Sequence, residues 1–281
     1  MSKRSRALEP NGFSLIELIV AIVVVGIVGA SVTRFYTGQL EFQRIEDAMR
    51  DSRSSARAAL NVLASDMRMI ESAGGVASAA ADDITIRVPY SFGVVCASSA
   101  TETDVSLLPS DATAYANAGF SGWAWRNSGT GGWAYQEGTI DISEPGAASC
   151  TAASVEVLAG GRVVRLDPGI NGLPIGTPVM LFQRIRYRFD DSVAIPGRNG
   201  LFRTVVATNQ ESELVTPFSD TARFRFYTDW NTAQDAVPAD LSTMLGFEIN
   251  LDAESVANSP RSDEPEPFSL TTSIFFKNIS G

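Results

Sequence analysis

The start of the chain divides into a short polar stretch and a long apolar one. Residues 1–12 are polar and include three basic side chains, whereas residues 13–33 are apolar apart from one carboxylate, Glu17. At about 1.5 Å of rise per residue, the apolar segment would form a helix ~31 Å long, close to the thickness of a membrane's hydrocarbon core. The pattern therefore predicts one membrane-spanning helix. The basic residues before it predict a cytoplasmic N-terminus and an exported remainder.

An amphipathic pattern follows the apolar segment directly. Between residues 34 and 72, apolar or small side chains recur at every third or fourth position, and charged side chains occupy the opposite face. This period is typical of a helix, and the one glycine in the stretch, Gly38, costs a helix only about 1 kcal/mol. Gly74 and Gly75 are a helix stop signal. The pattern predicts a single helix over residues 13–73, and two helices joined near Gly38 are the alternative.

After residue 76 the apolar positions alternate with a period of two, which indicates strands. Turn clusters rich in Gly, Pro, Asn and Asp separate seven such segments. The predicted fold is α+β, with the long N-terminal helix packed on a mostly antiparallel sheet in a head of residues 74–281. The predicted strands cover residues 84–88, 162–166, 180–189, 201–206, 222–227, 246–251 and 269–276.

Composition excludes several classes of function. The chain has 22 Lys and Arg residues against 32 Asp and Glu residues, a net charge of −10, and no histidine. An acidic chain is a poor nucleic-acid binder, because phosphate contacts need basic side chains. Without histidine, Ser-His-Asp and Cys-His catalysis and the usual zinc sites are excluded. The acidic clusters lack EF-hand spacing and no nucleotide-binding loop is present, so we expect no enzyme, cofactor or metal site.

Three interpretations of the N-terminus compete. It could be a secretory signal peptide cleaved near residues 28–30, a plain membrane anchor, or a leader that is cut between Gly12 and Phe13 so that the apolar helix is kept. Glu17 argues against the first two, because a carboxylate inside hydrocarbon costs free energy without helping export or anchoring. The third interpretation gives this carboxylate a partner, since cleavage creates a new α-amino group on Phe13.

The stretch from Gly12 to Leu18, GFSLIEL, closely resembles the type IV prepilin motif. The resemblance implies that a prepilin peptidase cleaves after Gly12, that Phe13 is then N-methylated, and that Glu17 is the assembly residue. An amine and a carboxylate attract strongly in a medium of low dielectric constant, and each offsets the other's burial cost. Whether Glu17 pairs with its own α-amine or with a neighbour's is left open.

Softer similarities point to a subgroup. Six segments resemble the minor pilin W and pseudopilin J group, namely residues 59–68, 184–188, 200–203, 216–219, 224–227 and 271–278. The resemblance implies a subunit that helps initiate and cap a type IV pilus or a type II secretion pseudopilus. Its implied partners are prepilin peptidase, other minor and major pilins or pseudopilins, and inner-membrane lipid before assembly. The implied location is the bacterial inner membrane with a periplasmic head, and later the fibre tip.

Residues 91–150 have the composition of an insertion in the head. They include four aromatic residues in glycine-framed stretches, Trp123, Trp125, Trp133 and Tyr135. If these side chains are exposed, they could bind a glycan, another surface or another subunit, which would make the chain a tip adhesin. The alternative, which we favour, is a hairpin that packs its own aromatic side chains into a small core.

The two cysteines, Cys96 and Cys150, lie near the ends of this segment. An even number of cysteines in an exported domain usually forms disulfides, so we predict a Cys96–Cys150 bond. Two free, buried thiols are the alternative.

Overall fold

The long helix α1 begins at Leu15 and ends at Met67 without interruption. The computed structural model describes residues 14–71, 73–127, 129, 131–137, 141–259 and 263–276. Ser14 caps the helix, because its hydroxyl accepts a hydrogen bond from the N–H of Glu17 and so satisfies a group that the first turn leaves free. Gly38 lies inside α1, so the prediction of one continuous helix is confirmed.

The predicted end of the helix is wrong by six residues. The helix ends at Met67, whereas the prediction extended it to residue 73. Ile70 already points into the core, and the N–H of Gly75 donates to the carbonyl of Glu71 over 3.0 Å. A Cβ at Gly75 would collide with that carbonyl oxygen. The two glycines therefore shape the turn that leads from the helix into the sheet, and the helix ends before them.

The two halves of α1 have opposite surroundings. From Leu15 to Phe42, the large apolar side chains are exposed apart from Leu40, which is half-buried. The second half is buried along one stripe made mostly of small residues, which let the helix backbone approach the sheet closely. The buried residues are Ala48, Ser52, Ala56, Ala59, Leu63, Ala64 and Met67.

The head contains fourteen strands, two short α-helices and a 3₁₀ turn within the described residues. The helices are α2 (Pro109–Asn117) and α3 (Ala148–Ala152), and the 3₁₀ turn is Leu241–Thr243. The strands are β1 (Val76–Ala79), β2 (Asp83–Ser98), β3 (Thr103–Leu107), β4 (Gly122–Arg126), β5 (Trp133–Glu137), β6 (Asp141–Ser143), β7 (Arg162–Asp167), β8 (Pro178–Asp191), β9 (Asn199–Val205), β10 (Gln210–Phe218), β11 (Arg223–Tyr227), β12 (Ala233–Gln234), β13 (Gly246–Asn258) and β14 (Pro265–Phe275).

These strands form one branched sheet in the order β12-β11-β13-β10-β9-β8-β2-β3-β7-β6. Three branches leave this path: β14 pairs with β13, β1 pairs with β2, and the β4–β5 hairpin pairs with β8 through β4. The strand pairings are antiparallel. The predicted α+β fold with a mostly antiparallel sheet is therefore confirmed.

All seven predicted strands overlap observed ones, but several other strands were missed. All five residues of β3 are buried, so its sequence shows no alternation of exposed and buried positions. The strand lies between β2 and β7 and is covered on both faces. β10 was missed because it begins with the polar run Gln210 to Glu213, which reads as a loop. Burial on both faces and exposure on both faces each remove the period of two.

The second half of α1 packs on β13, β14 and β10, and a polar contact fixes its end. The buried Tyr187 of β8 donates a hydrogen bond of 2.6 Å from Oη to Oδ2 of Asp66 on the helix. Arg203 of β9 approaches the same carboxylate at 3.4 Å. Burial, and then the negative charge of Asp66, raise the pKa of Tyr187, so the hydroxyl stays a donor at neutral pH.

Residues 91–150 belong to the same sheet as the rest of the head. They contribute the end of β2, together with β3, β4, β5 and β6, and α2 covers a second apolar core beside β2. The interpretation of this segment as an insertion stays a prediction.

Leu63→Ala should destabilise the head strongly. Leu63 is 0% exposed in the core between α1 and the sheet, and removing a buried leucine typically costs about 2–5 kcal/mol of unfolding free energy. Asn61→Ala, on the exposed face of the same helical turn, is the matched control and should change stability by less than about 0.5 kcal/mol. Urea unfolding of the full chain in detergent measures both variants. Equal losses would contradict the packing of α1 described above.

Candidate functional site: the N-terminal helix and the head surface

Glu17 lies in the first turn of α1 with its side chain exposed. It occupies the third helical position after the cap Ser14, where the helix dipole and the unsatisfied N–H groups favour a negative charge. Gly12 and Phe13 lie outside the described residues, so cleavage between them and methylation of Phe13 stay predictions. Phe13 and Glu17 are four positions apart, which is about one helical turn.

The first half of α1 is long and apolar enough to cross a membrane, and its most apolar stretch is not buried within the chain. Near the C-terminal end of this apolar half, two hydroxyl side chains form hydrogen bonds to carbonyls of the same helix. The hydroxyls of Ser31 and Thr33 donate to the carbonyls of Ile27 and Gly29, at 2.8 and 2.9 Å. Such local bonds make a hydroxyl tolerable where water is absent. Glu17 therefore stands out as a charge at the start of the apolar half of α1.

Two glycines in this half, Gly26 and Gly29, have no role in contacts within the chain. A Cβ added at either position would meet no atom within 4 Å. Both glycines leave the helix surface flat, which permits another helix to approach closely.

The cysteines form a disulfide between the sheet and α3. Cys96 of β2 and Cys150 of α3 are bonded, with Cα atoms 4.6 Å apart, and both are buried with Val163. The predicted bond is confirmed, and the alternative of two free thiols is wrong. The bond closes a loop with a sequence separation of 54 residues and holds α3 against β2.

The four aromatic residues predicted as a surface-binding set do not form one surface. Trp123 is 0% exposed and stacks on Phe120 with ring centres 6.2 Å apart, so a surface role for Trp123 is wrong. Trp125 is half-buried against the same core. Alternation along the β4–β5 hairpin places Trp133 and Tyr135 on the opposite face of the sheet, because they are paired across from Arg126 and Ala124.

Trp133 and Tyr135 have packing partners of their own. Both lie against a buried cluster of β4 and β8, and the ring of Tyr135 is 5.7 Å from that of Phe182. The guanidinium of Arg87 lies 5.3 Å from the centre of the Tyr135 ring. Since all of these side chains are at least half-buried, the packed-hairpin alternative describes the aromatic segment.

Arg87 also ties the hairpin to the turn after α1. It donates two hydrogen bonds to the carboxylate of Glu137, at 2.8 and 3.1 Å, and others to the carbonyls of Gly74 and Val76. The hydrogen bond from Arg87 lowers the pKa of Glu137. This contact network holds the hairpin over the turn between the helix and β1, so its role is structural.

Trp230 is the tryptophan that is exposed, and it was not among the residues predicted from the sequence to form a binding surface. Trp230, in the turn between β11 and β12, is 56% exposed and stacks on Phe275 with ring centres 5.2 Å apart. The ring of Tyr227 also lies beside Phe275, with ring centres 4.8 Å apart. Tyr227 and Phe275 are both paired with Gly246 of β13, where an added Cβ would collide with the backbone of Ile274 and Phe275. The signal available in the sequence was Gly246, a glycine at the first position of a strand with alternating apolar residues.

Within the described part of the chain, no three His, Cys, Asp or Glu side chains converge as metal ligands would. The paired carboxylates instead bind arginine. Asp104, for example, accepts bonds of 2.7 and 3.0 Å from Arg165, and this pairing lowers the pKa of Asp104.

Comparison with known proteins identifies the N-terminal segment. Residues 10–33 match a family model described as the prokaryotic N-terminal methylation motif. The match includes Gly12, Phe13 and Glu17, and it confirms the resemblance to type IV prepilins at these residues. No curated protein and no solved structure is significantly similar to the chain. The motif supports a subunit of the type IV pilin or pseudopilin family, and it indicates a structural protein processed by prepilin peptidase.

Removing the disulfide should lower stability by about 4 kcal/mol, because a loop of this length costs that much entropy to close. The Cys96→Ser, Cys150→Ser double variant should unfold at lower urea concentration than the wild type. Wild-type protein under reducing conditions is the control and should behave like the variant. The native chain should also migrate faster on a non-reducing gel. Quantitative thiol labelling of both cysteines in native protein would contradict the bond.

Proposed function

We propose that the chain is a minor subunit of a type IV pilus or of a type II secretion pseudopilus, and that it helps to initiate and cap the fibre. Its leader is removed after Gly12, and Phe13 becomes the methylated N-terminus. One observation carries the proposal. The methylation motif lies at the start of a continuous helix. The apolar first half of this helix is exposed, while its second half packs into the core of the folded head.

The bare half of α1 requires an apolar environment outside its own head. Burying a Val, Leu or Ile side chain gains about 1.5–3 kcal/mol, and the exposed stretch from Leu15 to Val32 contains many of them. The inner membrane supplies that environment before assembly, and the packed helices of a fibre supply it afterwards. The flat surface at Gly26 and Gly29 suits the second environment, because helices in an apolar medium associate through small residues.

Glu17 fixes how the helix aligns with its neighbours when the subunit moves from the membrane into the fibre. A carboxylate among apolar side chains is expensive unless it is paired, and the α-amine created on Phe13 is a cation at the same depth. Pairing Glu17 with the α-amine of a neighbouring subunit would align two helices in register. The carboxylate is exposed on α1 and so is accessible to a neighbour.

The head supports a minor subunit. Several segments that resemble the minor pilin W and pseudopilin J group form strands of its sheet: residues 184–188 lie in β8, 200–203 in β9 and 224–227 in β11. In this proposal the head is periplasmic, and the partners are prepilin peptidase and other minor and major pilins or pseudopilins. A tip adhesin that binds through the aromatic segment has no comparable support, because Trp123 is buried.

Gly12→Val should block processing. Prepilin peptidase cuts after a glycine, so the variant should keep its twelve-residue leader. Intact mass and N-terminal sequencing of protein extracted from membranes distinguish the two forms. Gly26→Val, in the same apolar context but away from the cut, is the control and should be processed normally. A wild-type chain that begins at Ser31 would instead identify a secretory signal peptide.

Glu17→Ala should separate processing from assembly. The variant should insert into the membrane, lose its leader and fold its head, but fail to join fibres, because the α-amine of Phe13 is left buried without its counter-charge. Glu41→Ala, an exposed carboxylate farther along α1, is the matched control. Co-purification with other pilins from detergent-solubilised membranes and counts of surface fibres measure the outcome. Full assembly of the Glu17→Ala variant would exclude an assembly role for Glu17.

A further inference from the structure

The edges of the sheet differ greatly in length. Among the described residues, five strands have a single neighbouring strand. Four of these are short: β12 has two residues, β6 three, β1 four and β5 five. The fifth, β14, has eleven residues and pairs along its length with β13 alone. In an antiparallel strand, alternate residues point their N–H and C=O groups away from the partner, so β14 presents a long row of such groups.

The side chains of β14 do not protect this edge. Soluble proteins usually protect edge strands with charged side chains, prolines or bulges. In β14 the prolines and the one charge are confined to its first three residues, Pro265 to Pro267, and the pairing irregularity lies at that end too. From Ser269 to Phe275 the strand has no charge and no proline. Within the described residues, no other strand and no backbone hydrogen bond from a turn or loop covers the edge from Ser269 to Phe275.

One face of β14 packs on the core, while the side chains on its other face are exposed from Pro267 to Ser273, so the open edge lies beside an exposed face. Phe268, Leu270 and Ile274 face the core under α1. On the opposite face, the hydroxyl of Ser273 bonds to Tyr227 at 2.9 Å. Phe275 stacks with Trp230 on that face. The exposed ring of Trp230 therefore lies beside the C-terminal end of β14.

The direction of β14 restricts what can pair with it. The guanidinium of Arg53 lies over the ring of Phe268, 5.6 Å from its centre. At the other end of β14, the N–H of Phe276 donates to the carbonyl of Leu245, which follows the 3₁₀ turn that contacts β1, the first strand after the helix. The strand therefore runs along α1 in the same direction. Two copies paired antiparallel through β14 would point their apolar helices in opposite directions, which one membrane does not permit. Like copies, each with a net charge of −10, also repel.

We propose that residues Ser269–Phe275 of β14 accept an extended, uncharged segment of a different subunit as an added strand. Main-chain hydrogen bonds hold the segment, and one of its apolar side chains lies against Phe275 and Trp230. This inference rests on the proposed function, because the partner is another subunit of the fibre.

A pair of proline variants tests the added strand. Adjacent residues of a strand point their N–H groups to opposite edges, so of Thr271→Pro and Thr272→Pro, one removes an N–H that bonds to β13 and the other removes an N–H at the open edge. The full chain carries an affinity tag, is expressed in its native cells and is purified from their membranes in mild detergent together with any prepilin-like subunits bound to it. The proline variant that keeps the wild-type unfolding midpoint should recover at least ~10-fold less partner. Thr271→Ala and Thr272→Ala keep both N–H groups and should recover normal amounts.

Amide hydrogen exchange gives a second readout that does not depend on the proline variants. Alternate amides between Ser269 and Phe275 should exchange at least ~10-fold more slowly in the purified complex than in the chain alone. Unchanged exchange in a complex that does form would overturn this inference and leave the proposed function standing. Full recovery of partner by a folded proline variant, or slowed exchange in a complex containing only copies of this chain, would also overturn it. A wild-type chain that captures no prepilin-like subunit would overturn both.

Discussion

The close packing of the second half of α1 on the sheet is the contact on which the rest of the structure depends. Small side chains from Ala48 to Ala64 let the helix lie close to β13 and β14, and Leu63 and Met67 fill the core at its end. Asp66 then fixes the helix to β8 and β9 through Tyr187 and Arg203. The first half of the same helix is apolar and exposed, so the folded head is joined directly to a segment that is apolar enough to cross a membrane.

The charged groups of the head mostly pair across strands on the sheet surface. Arg87 pairs with Glu137, Arg165 with Asp104, and Arg225 with Glu248. Arg87 and Arg165 each form a fork of two hydrogen bonds with the carboxylate, whereas Arg225 donates one bond to Glu248. The pairs of Arg165 and Arg225 link neighbouring strands, and partly exposed pairs of this kind add only modest stability. The acidic excess of the chain therefore does not collect into a site for a cation within the described residues.

The aromatic side chains show how a sheet separates residues that are adjacent in the chain. Trp123 and Trp125 pack on one face of β4, while Trp133 and Tyr135 pack on the other face of the hairpin. Trp230, far away in the sequence, is the one left exposed, beside the end of the open edge of β14. A surface for partners is therefore found by following the pairing of strands, because the positions of the tryptophans in the sequence do not reveal it.

The sequence by itself determined the parts that depend on local pattern. The apolar segment with Glu17, the continuous helix, the strands that alternate and the pairing of the two cysteines were all predicted from spacing and composition. What the tertiary structure decided is which residues are covered. Burial on both faces hid β3 from the pattern, and alternation placed the aromatic residues on opposite faces. The pairing of β14 with a single neighbour left one long edge open. These outcomes depend on contacts between residues distant in the chain, and a one-dimensional pattern records the period of a strand but not what lies beside it.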